Sequence, residues 1–324
     1  MRVSDIKAEM KIFDIKNRRT YVGILFLFTV LFTLPHFLSV FTVSEEEAAG
    51  AGMIGMEKKR EDPFQNLSLQ GKAFFVYDIK ENNALYVKNE ETQFPLASLT
   101  KVMTALIAEE LSPEGMLITI DSNALETEGD SGLVIGERWL LKDIIDLTLV
   151  SSSNDGARAI ASVGNFASQD ENTPPEEYFV RHMNRKARSI GLQQTYFLNE
   201  SGLDVNSSTP GAYGSAEDMA LLFAYVLEHY PQLLEATTES ALRTSSLDAQ
   251  HVASNTNVSA GSIPGIMASK TGFTELAGGN LVVAFEAGPT RPIVIAVLGS
   301  TVDGRFDDMK KLILASLKAI RNPL

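Results

Sequence analysis

Strand-like apolar runs stand at the two ends of the region from residue 71 onward, and helical periods fill the stretch between them. AFFVYD (73–78) and ALYV (84–87) flank the turn KENN, while GNLVVAFEA (279–287) and RPIVIAVLGST (291–301) return near the other end. Between them, SLTKVMTALIAEEL (98–111), WLLKDIIDLTLVS, NDGARAIASVG, EEYFVRHMNRKARSI and SAEDMALLFAYVLEHY space their apolar residues as helices do, to about residue 243. A last amphipathic helix is expected over about 305–321. Strands of one or two hairpins cannot bury a face alone, so the ends are expected to meet. The expected fold is α/β of the α+β kind: one antiparallel sheet flanked by helices, with an inserted all-helical lobe over about 98–243.

Composition removes several classes of function. The chain has 324 residues, 44% of them hydrophobic and 21% charged, which is the balance of a globular protein. It has no cysteine, so disulfides, thiolate metal sites, iron–sulfur clusters and a cysteine nucleophile are excluded. The four histidines (His36, His182, His229 and His251) show no metal-ligand spacing, so no metal is expected. A net charge of −13 argues against nucleic acid as a partner, since that binding needs phosphate-neutralising cations.

The N-terminus suggests a location. Tyr21 to Val43 contains no Asp, Glu, Lys or Arg, and about 20 apolar residues span a bilayer. Residues 1–20 carry six basic side chains against three acidic ones, and Glu45, Glu46 and Glu47 follow the span. The basic side stays in the cytoplasm, so the rest of the chain is expected outside. A cleaved signal peptide is the rival, but its apolar region is usually ~7–15 residues with small residues after it. The expected organisation is a cytoplasmic tail (1–20), a single-pass anchor (21–43), a flexible linker (44–70) and a catalytic domain (71–324). Gly50-Ala51-Gly52-Met53-Ile54-Gly55 fits a dinucleotide fingerprint, but no strand precedes it, and we assign it no such role.

Three short motifs carry chemistry. Ser98-Leu99-Thr100-Lys101 opens a helical pattern; Ser98 there is either an N-cap or a hydroxyl within one turn of an amine. A desolvated lysine loses proton affinity and can act as a base. Alone the motif is weak, because Ser4 and Lys7 repeat its spacing in the tail. Ser152-Ser153-Asn154 is either a helix junction or a hydroxyl that relays protons beside an amide that holds a carbonyl. Lys270-Thr271-Gly272 is either a strand entry with a solvated lysine or a carboxylate site whose glycine lets backbone approach closely.

In this order the three motifs are the set of the serine penicillin-recognising enzymes. With their flanks FPLASLTKVMTALIAEE, LVSSSNDGARAIA, FLNESGLD, GSAEDMALL and GIMASKTGFTELAGGNLVVA, residues 72–320 resemble the D-alanyl-D-alanine carboxypeptidases, the low-molecular-mass penicillin-binding proteins. The resemblance implies a β-lactamase/D,D-transpeptidase-like fold, with the site where the lobes meet. It implies hydrolysis of the terminal D-Ala-D-Ala bond of peptidoglycan stem peptides, in cell wall biogenesis and cell shape, without a cofactor. Ser98 would be the acylated nucleophile, Lys101 its base and Ser152 a proton relay. Asn154 would bind the peptide, Lys270 and Thr271 its carboxylate beside Gly272, and the backbone N–H groups of Ser98 and Phe273 would form the oxyanion hole. β-Lactams would acylate the same serine.

The chain departs from the family in two places. Many relatives have Asn-Pro-x-Gly-Leu where this chain has Asn199-Glu200-Ser201-Gly202-Leu203. Glu200 lies between the second and third motifs, where class A β-lactamases keep a deacylating glutamate, but their Glu-x-x-x-Asn pattern is absent. Many relatives also carry a C-terminal β domain and an amphipathic anchor; the N-terminal span is expected in the anchor's place. D,D-endopeptidase cleavage of crosslinks is the alternative activity, with β-lactamase or a non-catalytic penicillin-binding sensor behind it. Gly129-Asp130-Ser131-Gly132 imitates a trypsin-like loop, but no histidine lies upstream in the exported part, and no GxSxG is present.

Overall fold

The computed structural model describes residues 62–129, 131–164 and 174–321. The proposed tail, the apolar span 21–43, the linker to residue 61 and the decoys at Ser4 and Gly50 lie outside the described residues. Among the described residues, twelve strands run in chain order: β1 (Ala73–Asp78), β2 (Asn83–Lys88), β3 (Phe94–Pro95), β4 (Leu117–Thr119), β5 (Arg138–Leu140), β6 (Tyr196–Phe197), β7 (Ala212–Gly214), β8 (Ala241–Ser245), β9 (Gln250–Ser254), β10 (Ile266–Thr274), β11 (Gly278–Glu286) and β12 (Pro292–Ser300). The helices are α1 (Thr100–Leu111), α2 (Leu141–Ser151), α3 (Asn154–Ala161), α4 (Pro175–Ser189), α5 (Ala216–His229) and α6 (Gly304–Arg321).

The strands from the two ends of the region beginning at residue 71 meet as expected. The main sheet has the order β10-β11-β12-β1-β2, all antiparallel, with Ala73 opposite Leu298 and Asp78 opposite Ile293. Its central strands are buried on both faces, which explains their unbroken apolar runs. Alternate residues divide between two cores. Phe75, Val282, Ala284, Val294 and Ala296 join the helical lobe, whereas Phe74, Val76, Leu281, Val283, Ile293 and Ile295 pack on Met309, Leu312 and Ile313 of α6. A one-residue slip would exchange the two sets.

The lobe differs from expectation in detail. It is not purely helical: β4 pairs with β5, and β3, β7 and β6 form a small sheet. Trp139 and Leu140, expected in a helix, belong to β5, and α2 starts at Leu141.

The expected flexible linker also needs correction at its end. Residues 62–70 are docked: Phe64 is buried and stacks on Tyr86 at 5.2 Å, and Gln70 and Gly71 donate backbone N–H bonds to the buried Asp308 of α6. One aromatic ring and two satisfied amides outweigh the polar, aperiodic look of the segment.

Candidate active site

Ser98 lies in a single 3-10 turn, Ala97–Leu99, that leads directly into α1. Neither element has a side-chain N-cap, so Ser98 caps nothing and its hydroxyl is free for other work. Ala97, just before it, has φ 50°, a left-handed conformation that costs about 1–2 kcal/mol in a residue with a Cβ. The turn is held in place from behind: Asn280 of β11 donates to Pro95 O at 3.0 Å and Leu96 O at 3.1 Å.

One turn into α1, Lys101 is 1% exposed. Its Nζ lies 2.9 Å from Ser98 Oγ, 2.7 Å from Asn154 Oδ1 and 2.8 Å from Ser201 O. Burial pushes its pKa down to about 7, while the nearby charge of Glu200 pulls the other way. A neutral amine has two N–H bonds and one lone pair. Asn154 Oδ1 and the Ser201 carbonyl only accept, so they take the two N–H bonds, and the lone pair is left to accept from the Ser98 hydroxyl. The geometry therefore aims the Lys101 lone pair at the Ser98 hydroxyl.

Ser152 sits between α2 and α3 with φ 63° and ψ 32°. The cap of α3 is its neighbour Ser153, whose Oγ accepts from Gly156 N at 2.8 Å. The bland reading of the second motif is thus fulfilled by its middle residue, and the outer two face the cleft. Asn154 is fixed by a second bond, from Nδ2 to Glu128 O at 2.7 Å. Two left-handed residues with side chains, Ala97 and Ser152, flank the same cleft, where strain is held by the surrounding structure.

Lys270, on the edge strand β10, is 1% exposed rather than solvated. Its Nζ lies 2.9 Å from Ser152 Oγ and 2.9 Å from Thr271 O. Burial, then the charges of Lys101 and Arg305, hold its pKa well below the usual lysine value. A proton on one lysine disfavours a proton on the other, so a neutral Lys101 favours a charged Lys270. Thr271 Oγ1 is 2.6 Å from Thr256 Oγ1. At Gly272 a Cβ would come within 2.8 Å of Leu96 O and 3.3 Å of Ser98 N, so only glycine lets β10 lie this close to the Ser98 turn. Phe273 follows Gly272 on β10, and its side chain is exposed.

All eight expected site residues therefore converge on one cleft. Sequence reading missed Thr256, Asn280 and Arg305, which touch those residues without belonging to a motif. Glu200 is buried and forms an ion pair with Arg158 of α3 at 3.4 Å. Its backbone carbonyl accepts from Thr104 at 2.6 Å. Gly202 has φ 80°, and a Cβ there would fall 1.9 Å from Ala97 O, so the departing segment 199–203 packs directly on the nucleophile turn.

A family model described as D-alanyl-D-alanine carboxypeptidase matches residues 57–301. The chain belongs to this family. D-alanyl-D-alanine carboxypeptidase DacF of Bacillus subtilis is 30% identical over 255 residues, covering 76% of this chain and 62% of that protein. A D-alanyl-D-alanine endopeptidase of Pseudomonas aeruginosa is 27% identical, covering 73% of this chain and 74% of the relative. Among solved structures, penicillin-binding protein D2 of Listeria monocytogenes in its ampicillin-bound form is 27% identical, with a TM-score of 0.64, 77% of this chain and 98% of that one covered. The penicillin-binding fold expected from the resemblance is thus the fold of this family member. The chain spans less than two thirds of the Bacillus relative's length.

Proposed function

We propose that this family member is a serine-type D,D-carboxypeptidase that acylates Ser98 and trims D-alanine from peptidoglycan stem peptides. The observation that carries the reading is a buried lysine with a pKa of about 7 placed 2.9 Å from a serine hydroxyl that caps no helix. General-base transfer needs about 2.6–3.2 Å.

The steps follow from the groups present. The terminal carboxylate of the peptide binds Lys270 and Thr271, and Asn154 holds the peptide chain. Ser98 Oγ attacks the carbonyl of the penultimate D-alanine while its proton passes to Lys101 Nζ. The Ser98 and Phe273 N–H groups receive the oxyanion; removing one such donor typically costs ~10²–10³ in rate. The proton travels through Ser152 Oγ to the leaving nitrogen, the C–N bond breaks and D-alanine departs. Water then attacks the Ser98 ester as its proton passes to Lys101 Nζ, and that proton moves on to Ser98 Oγ as the ester C–O bond breaks, which restores the hydroxyl and the neutral lysine and frees the shortened peptide as its carboxylic acid. A β-lactam enters by the same attack, opening its ring instead of releasing an amine.

The location is part of the proposal. Residues 21–43 read as a single-pass anchor with the domain on the extracytoplasmic side, which would put the site beside the cell wall. Among the described residues no helix is long and apolar enough to cross a membrane. Cleavage of crosslinks is the second reading, favoured by the likeness to the Pseudomonas endopeptidase.

The test is fluorescent-penicillin labelling together with D-alanine release from a stem pentapeptide, for the parent, Ser98→Ala and Lys101→Ala. Labelling and release by the parent alone are expected. Labelling with no D-alanine release but with separation of a crosslinked dimer into its two peptides would transfer the assignment to endopeptidase, and a folded parent that neither labels nor hydrolyses would sink the hydrolase reading.

A further inference from the structure

Arg305, in the first turn of α6, is 7% exposed and lies behind β10. Its Nη1 donates to Gly272 O at 2.8 Å and reaches Asn280 O at 3.5 Å. Its hydrogen bonds go to backbone carbonyls and not to a carboxylate, its Nε is buried without one, and burial lowers its pKa although the charge of Asp303 pulls the other way. A guanidinium is held in the interior with backbone carbonyls as its acceptors.

The carbonyl of Gly272 and the N–H of Phe273 belong to one planar trans peptide. They point to opposite sides of the strand. On one side the carbonyl meets Arg305; on the other, the N–H is turned away from Arg305, on a stretch of β10 that lies close to the Ser98 turn because Gly272 has no Cβ. A cation on the oxygen draws electron density through the amide and leaves the N–H more positive, as cooperative hydrogen-bond chains do. The other proposed donor is built differently. The peptide that carries Ser98 N–H has the carbonyl of Ala97, which accepts from the neutral backbone N–H of Thr100.

We propose that Arg305 is a positioning residue for the oxyanion hole, polarising the Gly272–Phe273 peptide from behind so that Phe273 N–H becomes the stronger of the two donors. The inference rests on the acyl-enzyme reading above. It extends that reading by giving catalysis a charged group that never touches substrate. A cation in the same place also stands behind Lys270 and favours its neutral form, so the binding of an anionic substrate relieves a repulsion already present.

The test compares the full chain with Arg305→Gln and Arg305→Lys by infrared difference spectroscopy of the penicilloyl-enzyme, with the carbonyl of the β-lactam isotopically labelled. A strong oxyanion hole weakens the ester C=O bond and lowers its stretching frequency. The Gln variant is expected to move the acyl band to higher wavenumber and to slow deacylation roughly tenfold, with KM for peptide little changed. The Lys variant, which keeps a charge on a shorter reach, is expected to lie between. A purely structural role would alter melting temperature without moving the band. Folded variants with the parent's band and deacylation rate overturn the inference while leaving the hydrolase reading intact; should Arg305→Gln fail to fold, the Lys variant decides alone. If the folded parent forms no acyl band, the hydrolase reading falls, and this inference falls with it.

Discussion

Lys101 and Lys186 are both helix lysines held against packed neighbours, yet their acidities move in opposite directions. Lys186 on α4 loses proton affinity through partial burial, but the hydrogen bond and charge of Glu110 outweigh that, and its pKa is raised. Lys101 is fully buried among a hydroxyl, an amide and a carbonyl, and its pKa falls to about 7. The carboxylate that might have held it charged, Glu200, is drawn to Arg158 instead. Burial alone thus does not make a base. What matters is whether a carboxylate bonds the amine: Glu110 bonds Lys186, whereas Glu200 pairs with Arg158 and raises the Lys101 pKa through its charge alone, by less than burial lowers it.

The sharpest way to break the comparison is Lys101→Met. Penicillin acylation should fall by ~10³ or more, since the general base is lost. Melting temperature should rise. A lysine whose folded pKa lies below its unfolded value of about 10.5 costs stability fully below about pH 7, and that cost disappears as pH climbs to 10.5. The gain from methionine should therefore be larger at pH 6 than at pH 9, and calorimetry at both values checks it.

In the parent chain, the acylation rate constant should fall about tenfold per pH unit below about 7, roughly 10² between pH 7 and pH 5, as stopped-flow labelling would read. A flat profile would mean that Lys101 is not the base.

Gly202→Ala tests the packing that delivers the nucleophile. A Cβ 1.9 Å from Ala97 O, at φ 80°, has to displace the Ser98 turn. Roughly 2 kcal/mol or more of stability should be lost in denaturant unfolding, with acylation slowed as well.

Glu200→Gln sharpens the electrostatic side. Removing the charge that raises Lys101 should move the acylation midpoint to lower pH. An unchanged midpoint, together with a greatly lengthened acyl-enzyme lifetime, would instead point to a deacylation base. The smallest effect is expected for Lys186→Met. That pair is worth about 1 kcal/mol or less, a loss of roughly 2–4 °C at most in melting temperature, with acylation untouched.

How much of this was legible in the sequence depends on the distance over which each residue acts. The spacing of Ser98 and Lys101 recurs at Ser4 and Lys7, and Lys270-Thr271-Gly272 alone could be a strand entry, so these residues were legible only as an ordered set with Ser152 and Asn154. The sheet was readable because unbroken apolar runs such as GNLVVAFEA need cover on both faces. Arg305 and Asn280 were not readable as site residues, because one looks like the polar face of a terminal helix and the other like a strand interruption. Only the pairing of β10 with β11 and the docking of α6 bring them behind the cleft. Phe64 was lost to the linker for a related reason: its partner Tyr86 lies in another strand, and no local period betrays the contact. The helical reading of Trp139 failed because β4 is three residues long and captures its partner strand by burying Trp139, which a 3.6-residue period cannot reveal.

The pairing of Ala73 with Leu298 has a consequence in time. A ribosome makes β1 and β2 long before β12, so the middle strand of the sheet arrives after both of its neighbours, β1 and β11. Contacts this distant in sequence slow folding, because a long loop must close before any reward appears. Ser98 and Lys101 precede Lys270, Gly272 and Arg305 by more than half of the described chain. A growing chain therefore carries Ser98 and Lys101 long before the strand and helix that enclose them, and the cleft is assembled only once β10 and α6 have been made.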